Sequence, residues 1–311
     1  MTADLLLTVT NKAVLADNVV QLDIAADNGT HLPSWQPGAH VDLHFGQFTR
    51  SYSLCGDTTD RTRYRVAVLR EHDGRGGSVY LHDHLSVGDR VGVSLPRNHF
   101  GLVAADHYIF LAGGIGVTPI VPMLASATAQ GASWELHYGG RTRAAMAFLD
   151  ELAPAGAVHI YPEDEVGLMP LVDVLTDVRP NTKIYCCGPP ALLDAAAGAS
   201  AHWPHASLHT ERFVPADLYG TDNRAFKVIL AQHGTTHQVP ADRSILEVLE
   251  DAGIDVPTSC RVGTCGTCEA GVIDGVPEHR DSILTTDEQA EGRYVMLCVS
   301  RAATPTLTLD L

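Results

Sequence analysis

The chain has 311 residues, 45% of them apolar and 19% charged, a globular composition that excludes the disordered, collagenous and fibrous classes. Against 21 Lys and Arg stand 37 Asp and Glu; the net charge of −16 repels phosphate backbones and anionic lipid, which argues against a nucleic-acid or membrane-surface binder. At about 150 residues per domain the length predicts two domains or three small ones.

Met1 to Leu7 lack the basic stretch and long apolar core of an export signal, so a cytoplasmic location is expected. Up to residue 102 the chain reads as alternating runs at 5–16, 19–25, 40–45, 50–54, 63–69 and 90–95. Asn28-Gly29, Pro37-Gly38, Asp73-Gly74 and Gly88-Asp89 supply turns between them, and a helix is predicted at 79–85. Six short strands at this spacing predict a small antiparallel β-barrel. From Tyr108 apolar runs (108–112, 134–138, 158–161, 183–187, 207–210) alternate with helical patterns (120–128, 144–152, 171–178, 190–197), predicting an α/β domain with a covered parallel sheet. Residues 107–134 carry no Asp, Glu, Lys or Arg, but their prolines and glycines favour a buried strand, glycine loop and packed helix over a membrane span. After a polar stretch at 214–224, a hairpin is predicted at 226–231 and 236–239, then a helix at 245–252 capped by Ser244, a small α+β domain. The domains are thus expected at 1–102, 103–213 and 225–311, with 214–224 as linker.

Seven cysteines are an odd number, and four crowd the last fifth of the chain, which in an unexported protein points to metal. Cys260, Cys265 and Cys268 are spaced C-x4-C-x2-C, with Cys298 after 29 further residues. That is the plant-type pattern for one [2Fe–2S] cluster; structural zinc would show two C-x2-C pairs, and here there is one. Cys55, Cys186 and Cys187 fit no ligand spacing and read as small buried apolar residues.

Two segments suit phosphate. Gly113-Gly114-Ile115-Gly116-Val117-Thr118-Pro119 follows an apolar strand and opens a helix, where backbone N–H groups and the helix dipole hold a pyrophosphate; a purely structural glycine turn is the alternative. Arg50-Ser51-Tyr52-Ser53 lies on a barrel strand, and Gly74-Arg75-Gly76-Gly77-Ser78 precedes the helix at 79–85, so a guanidinium, a helix N-terminus and a flat ring could share one ligand. His72, His82 and His84 read as surface and helix-face residues, not a metal site.

Taken together, Arg50 to Ser53, Pro96-Arg97-Asn98-His99-Phe100, Gly113 to Pro119, His137-Tyr138-Gly139-Gly140-Arg141, Cys187-Gly188-Pro189, Glu211-Arg212-Phe213 and the four cysteines resemble, in this order, the phthalate dioxygenase reductase family. The resemblance implies a flavin β-barrel, a pyridine-nucleotide α/β domain and a C-terminal β-grasp ferredoxin domain. It implies that Arg50 with Gly76, Gly77 and Ser78 holds the phosphate of FMN, with Ser51 beside them. Tyr52 would pack on the isoalloxazine ring, and Ser53 would sit near its N5. It places Gly113, Gly114, Gly116, Thr118, Pro119, Gly188 and Pro189 at the nucleotide, Thr118 and Cys187 facing the nicotinamide, and Glu211 and Phe213 approaching the flavin. More distant relatives carry FAD instead.

NADH yields two electrons as a hydride and a [2Fe–2S] cluster accepts one, so a carrier able to do both must stand between them; a flavin does this. The predicted strand at 158–161 runs into Pro162-Glu163-Asp164-Glu165, whose three carboxylates would repel a 2′-phosphate, so NADH is expected over NADPH unless Arg141 or Arg143 compensates. The expected activity is an NADH-dependent reductase delivering electrons to a Rieske non-haem iron oxygenase acting on an aromatic acid or aryl ether. A separate cytochrome P450 is the alternative acceptor and a flavin/iron–sulfur redox sensor the non-enzymatic alternative. Each cofactor can be bound within one chain, so a monomer is expected.

Overall fold

The computed structural model describes residues 4–153, 157–213 and 223–311. The described residues up to Phe213 form one compact unit and those from Asn223 onward a second. Most of the stretch read as a linker, 214–222, lies outside the described residues.

The first unit opens with β1 (Leu5–Ala16), β2 (Val19–Ala25), β3 (Ala39–Phe45), β4 (Phe48–Ser53), β5 (Arg63–Leu69), helix α1 (Gly77–His84), β6 (Arg90–Val93) and the short β7 (Arg97–Asn98). The strands hydrogen-bond in the order β4-β3-β6-β1-β2-β5, all antiparallel, with β7 on β3, and a bridge between Leu54 and Val66 links the two ends into the barrel. Strand periodicity turns Leu7, Val9, Leu22, Ile24, Val41, Leu43, Val66 and Val68 inward onto a core closed by Leu81 of α1. The Lys12 ammonium donates to the carbonyls of Leu81, His82 and Leu85 at 3.2, 2.7 and 2.6 Å, satisfying orphan acceptors at the end of α1 and fixing the helix on the barrel wall.

The α/β part comprises β8 (His107–Gly113), a 3₁₀ turn (Gly114–Val117), α2 (Ile120–Ala129), β9 (Ser133–Gly140), α3 (Leu149–Leu152), β10 (Val158–Pro162), α4 (Glu163–Val166), α5 (Leu171–Val174), β11 (Thr182–Cys187), α6 (Pro190–Ala199) and β12 (Leu208–Glu211). All five strands are parallel, in the order β10-β9-β8-β11-β12. The order reverses between β8 and β11, and at such a switch point ligands lie beyond the carboxyl ends of the strands. Two buried tyrosines strap the segment joining barrel and sheet. Tyr185 Oη donates to Gly101 O (2.9 Å) and accepts from Val103 N (2.7 Å), while Tyr108 Oη donates to Val103 O (2.9 Å) and accepts from Ala105 N (3.0 Å). Asp17 N also donates to Ala144 O at 2.8 Å, and Arg65 on the barrel pairs with Glu151 at 3.5 Å.

Two helices are shorter than their sequence pattern. The run 144–152 gives a 3₁₀ turn (Arg143–Ala145) and then α3, because Phe148 takes a left-handed φ of 65° that drives its ring, with Met146 and Ala147, into the core. The run 171–178 is helical only over α5.

In the second unit β13 (Phe226–Leu230) and β14 (Thr235–Val239) form the expected hairpin, and α7 (Ile245–Asp251) follows Ser244, whose capping box with Glu247 satisfies two donors reciprocally. β15 (Glu269–Asp274), β16 (Pro277–Glu278), α8 (Thr286–Glu291), β17 (Tyr294–Met296), β18 (Arg301–Ala302) and β19 (Thr306–Leu309) complete it. The main sheet runs β14-β13-β19-β15-β17, with β13 and β19 parallel, and buries Val228, Leu230, Leu307 and Leu309 against Ile245 and Leu249 of α7. This is the mixed sheet and covering helix of the expected ferredoxin fold. Among the described residues no helix is long and apolar enough to cross a membrane.

Candidate functional site

The residues singled out in the sequence fall into three constellations. In the first, Arg50 on β4 reaches the N-terminus of α1. Its Nη1 donates to Thr49 O at 2.8 Å and its Nη2 to Arg75 O at 3.0 Å, and a Cβ on Gly77 would lie 2.7 Å from Nε. A larger residue at 77 would therefore push the guanidinium off the first turn of the helix. Gly76 caps α1 at φ 77° with no side-chain hydrogen bond, leaving first-turn amides for a ligand. Among the described residues Arg50 has no carboxylate partner; burial first and Arg75 second hold its pKa below the ordinary guanidinium value. A half-buried cation short of an anion beside a helix N-terminus fits a phosphate.

Tyr52 lies two residues along the same strand face, its hydroxyl pKa raised chiefly by burial, and Ser53 is buried opposite His40. Ser51 points away from Arg50: its Oγ donates to Asp42 Oδ1 at 2.6 Å, and Asp42 Oδ2 accepts from Arg97 at 2.6 Å. Ser78 accepts from Glu71 N at 3.0 Å, tying the preceding loop to the helix.

The second constellation occupies the switch point. A Cβ on Gly116 would stand 2.3 Å from Cys187 O, one on Gly113 2.7 Å from Pro189 Cδ, and one on Gly188 3.0 Å from Gly113 Cα. The loop after β8 and the turn after β11 thus pack backbone against backbone, which only glycine allows. Gly114, at φ 53°, has open space around it, so its backbone can be approached closely. Thr118 is buried, and its hydroxyl donates to Ile115 O at 2.9 Å, rigidifying the loop; Pro119 caps α2. Cys187 Sγ lies 3.9 Å from Glu211 Oε2 at the end of β12. Burial pushes the Glu211 carboxyl up to about 8, and burial with Glu211 nearby pushes the Cys187 thiol up, so both hold protons at neutral pH. Phe213 is partly exposed just beyond.

The third is the loop 260–268. Left-handed φ at Arg261 (58°), Gly263 (73°) and Gly266 (72°) curls the chain so that Val262 N and Thr264 N donate to Cys260 Sγ at 3.4 and 3.3 Å, and Cys260 N to Cys265 Sγ at 3.4 Å. Thr267 Oγ1 lies 3.1 Å from Cys265 Sγ. Cys260, Cys265, Cys268 and Cys298 are all buried, and Cys298 is brought in by Leu297 N donating to Cys268 O at 3.1 Å. Four convergent sulfurs inside a cage of N–H donors fit an anionic iron–sulfur cluster.

Some contributors were not legible in the sequence. Arg261 is clamped to α7 by two bonds to Glu250, at 3.0 and 2.5 Å, which pins the cluster loop. Asp42 and Arg97 back β4 through Ser51; the Pro96 to Phe100 segment signalled Arg97, but nothing in the sequence paired it with Asp42. Glu135, His137 and His159 also meet; the two imidazoles stack with ring centroids 4.7 Å apart, and the Glu135 carboxylate is engaged by Arg179 at 2.7 Å. His82 is spent on Val68 O at 2.9 Å, in keeping with its reading as a helix-face residue.

Residues 228–303 match the family model described as a 2Fe-2S iron-sulfur cluster binding domain. Phthalate dioxygenase reductase of Burkholderia cepacia is 39% identical over 98% of this chain and 97% of its own length. The chain belongs to the phthalate dioxygenase reductase family. A solved phthalate dioxygenase reductase, described as modular for electron transfer from pyridine nucleotides to [2Fe-2S], superposes with a TM-score of 0.73 at 39% identity, covering 99% of this chain and 98% of that one. An intact type IV self-sufficient cytochrome P450 monooxygenase superposes with a TM-score of 0.93 at 42% identity; 98% of this chain is covered but only 41% of that one. As a member of the phthalate dioxygenase reductase family the chain is an electron-transferring oxidoreductase with a [2Fe–2S] cluster domain.

Proposed function

We propose that this chain is the reductase component of a multi-component oxygenase of Rieske type, acting on an aromatic acid or aryl ether. It would work in the cytosol as a monomer, with domains at 1–102, 103–213 and 225–311. The supporting observation is identity sustained over 97% of the length of an oxygenase reductase, with the phosphate, switch-point and cysteine constellations all intact. The cofactors supply the redox chemistry: a flavin takes a hydride and releases single electrons, and the cluster accepts one at a time.

The chain's own residues bind, orient and exclude water. Arg50, Gly76, Gly77 and the α1 amides hold the flavin phosphate, and Tyr52 and Ser53 line the ring. Gly113, Gly114 and Gly116, stacked on Gly188 and Pro189, hold the pyrophosphate of the nucleotide. Cys187 presents an uncharged thiol to the nicotinamide, Thr118 fixes the loop beside it, and Glu211 and Phe213 lie toward the flavin.

The likeness to the reductase part of the self-sufficient P450 favours a second reading, a haem acceptor. Turnover of NADH with a purified Rieske oxygenase and, separately, with a P450 decides between them. Rapid coupled reduction of the Rieske centre alone supports the proposal; coupling to the P450 alone overturns it. Rapid NADH-driven reduction of ferricyanide would exclude the redox sensor.

A further inference from the structure

The carboxyl ends of β9 and β10 carry two loops that face each other beside the nucleotide site. With the pyrophosphate on the loop after β8 and the nicotinamide toward Cys187, the adenosine half of the nucleotide must run the other way, over β9 and β10. β9 ends there in Gly139-Gly140, and beyond β10 Val166 and Leu168 are exposed, an apolar surface suited to a base. The loop after β9 holds Arg141 and Arg143, and α4 at the end of β10 holds Glu163, Asp164 and Glu165.

The loops are bonded to each other. Asp164 N donates to Arg141 O at 3.3 Å, and Arg143 engages Glu165 in a two-point fork, Nε to Oε1 at 3.0 Å and Nη2 to Oε2 at 2.7 Å. A guanidinium fork of this kind is also what recognises a phosphate. Arg143 is thus the better-placed cation for the 2′-phosphate that distinguishes NADPH from NADH, and a carboxylate already occupies its donors. A 2′-phosphate dianion would have to displace Glu165 and then lie beside that unpaired carboxylate, with Glu163 and Asp164 adding to the repulsion. An uncharged 2′-hydroxyl meets no such penalty and leaves the Arg143–Glu165 fork intact.

We propose that Glu165 is a specificity-determining residue that excludes NADPH by keeping Arg143 occupied. The proposal rests on the nucleotide site assigned above. It is tested by anaerobic stopped-flow reduction of the flavin in the holoenzyme with each nucleotide, for wild type, Glu165→Gln and the double variant Arg143→Gln/Glu165→Gln. Inhibition of NADH turnover by adenosine 2′,5′-bisphosphate, compared with AMP, gives a second readout free of hydride transfer.

Glu165→Gln is expected to raise kcat/KM for NADPH by about tenfold or more, the effect of freeing one guanidinium to hydrogen-bond a phosphate. Affinity for the bisphosphate should rise in parallel, NADH efficiency should stay within about threefold, and the double variant should fall back to wild type. An NADPH efficiency unchanged in Glu165→Gln, or an increase that survives loss of Arg143, overturns the proposal while leaving the nucleotide site standing. Failure of wild type to be reduced by either nucleotide would instead overturn the site assignment, and the proposal with it.

Discussion

At the scale of single residues, the most consequential is Glu211, because its carboxyl touches Cys187, where nicotinamide and flavin are expected to meet. Its carboxyl is raised from 4.5 to about 8 by burial. The fold therefore favours the neutral form, and the stability this confers is complete below about pH 4.5 and is lost as pH rises through about 8. Glu211→Gln carries no such ionisation. Relative to that variant, the wild type should lose thermal stability steadily between about pH 5 and 9, read as the difference between their melting midpoints. The rate of flavin reduction should show an ionisation near 8 in the wild type and none in Glu211→Gln; identical profiles would place the titrating group elsewhere. The cysteine quartet was fully legible because ligation imposes a spacing on the sequence. The hydroxyls were not: whether Ser51 faces a cofactor or Asp42, and whether Thr118 faces a ligand or Ile115 O, depends on partners that distant segments supply.

Elements were legible where their period is long and unbroken, as in the six barrel strands and α2, and illegible where one residue overrides the pattern. Phe148 is such a residue: apolar periodicity through 144–152 reads as one helix, but its left-handed backbone, which places the ring in the core, breaks it. The glycine turns show the converse, since their purpose lies in the approach of two chain segments distant in sequence. Gly116→Ala puts a methyl group 2.3 Å from Cys187 O, a backbone atom that cannot swing aside, so the loop after β8 and the turn after β11 must separate. The expected result is a loss of NADH efficiency of about 100-fold, as for a misplacement of about 1 Å at a reacting centre, with the bound flavin's absorbance spectrum unchanged. Gly77→Ala should do the reverse: its methyl group would lie 2.7 Å from Arg50 Nε, so flavin retention should fall while the isolated apoprotein still binds nucleotide. Equal loss of both ligands in either variant would show that the two constellations are not separate sites.

On the scale of the whole molecule, the three constellations provide for a two-electron donor, a carrier and a one-electron outlet, and the need for a carrier was readable in the sequence alone because a hydride donor cannot feed a one-electron cluster directly, although along the chain the carrier's site precedes the donor's. What was not readable is the support each site receives: the Tyr185 strap on the segment joining barrel and sheet and Lys12 closing α1 join residues far apart in sequence, and no pattern announces that Glu250 pins Arg261. Because the cysteines lie in a compact unit with its own buried core, damage to the cluster should leave the hydride-accepting half intact. Cys265→Ser removes one sulfur from a site built of buried cysteines and N–H donors, while Arg50, Gly116 and Glu211 belong to the other unit. In anaerobic titration with NADH, the variant should bleach its flavin band at a rate within about threefold of wild type, since the hydride step uses none of the altered groups. It should show no iron–sulfur EPR signal and should deliver no electrons to cytochrome c or to an oxygenase. If flavin reduction instead fell together with the cluster signal, the first unit would depend on the second, and the reduction of the flavin could not be treated as a step complete within residues 4–213.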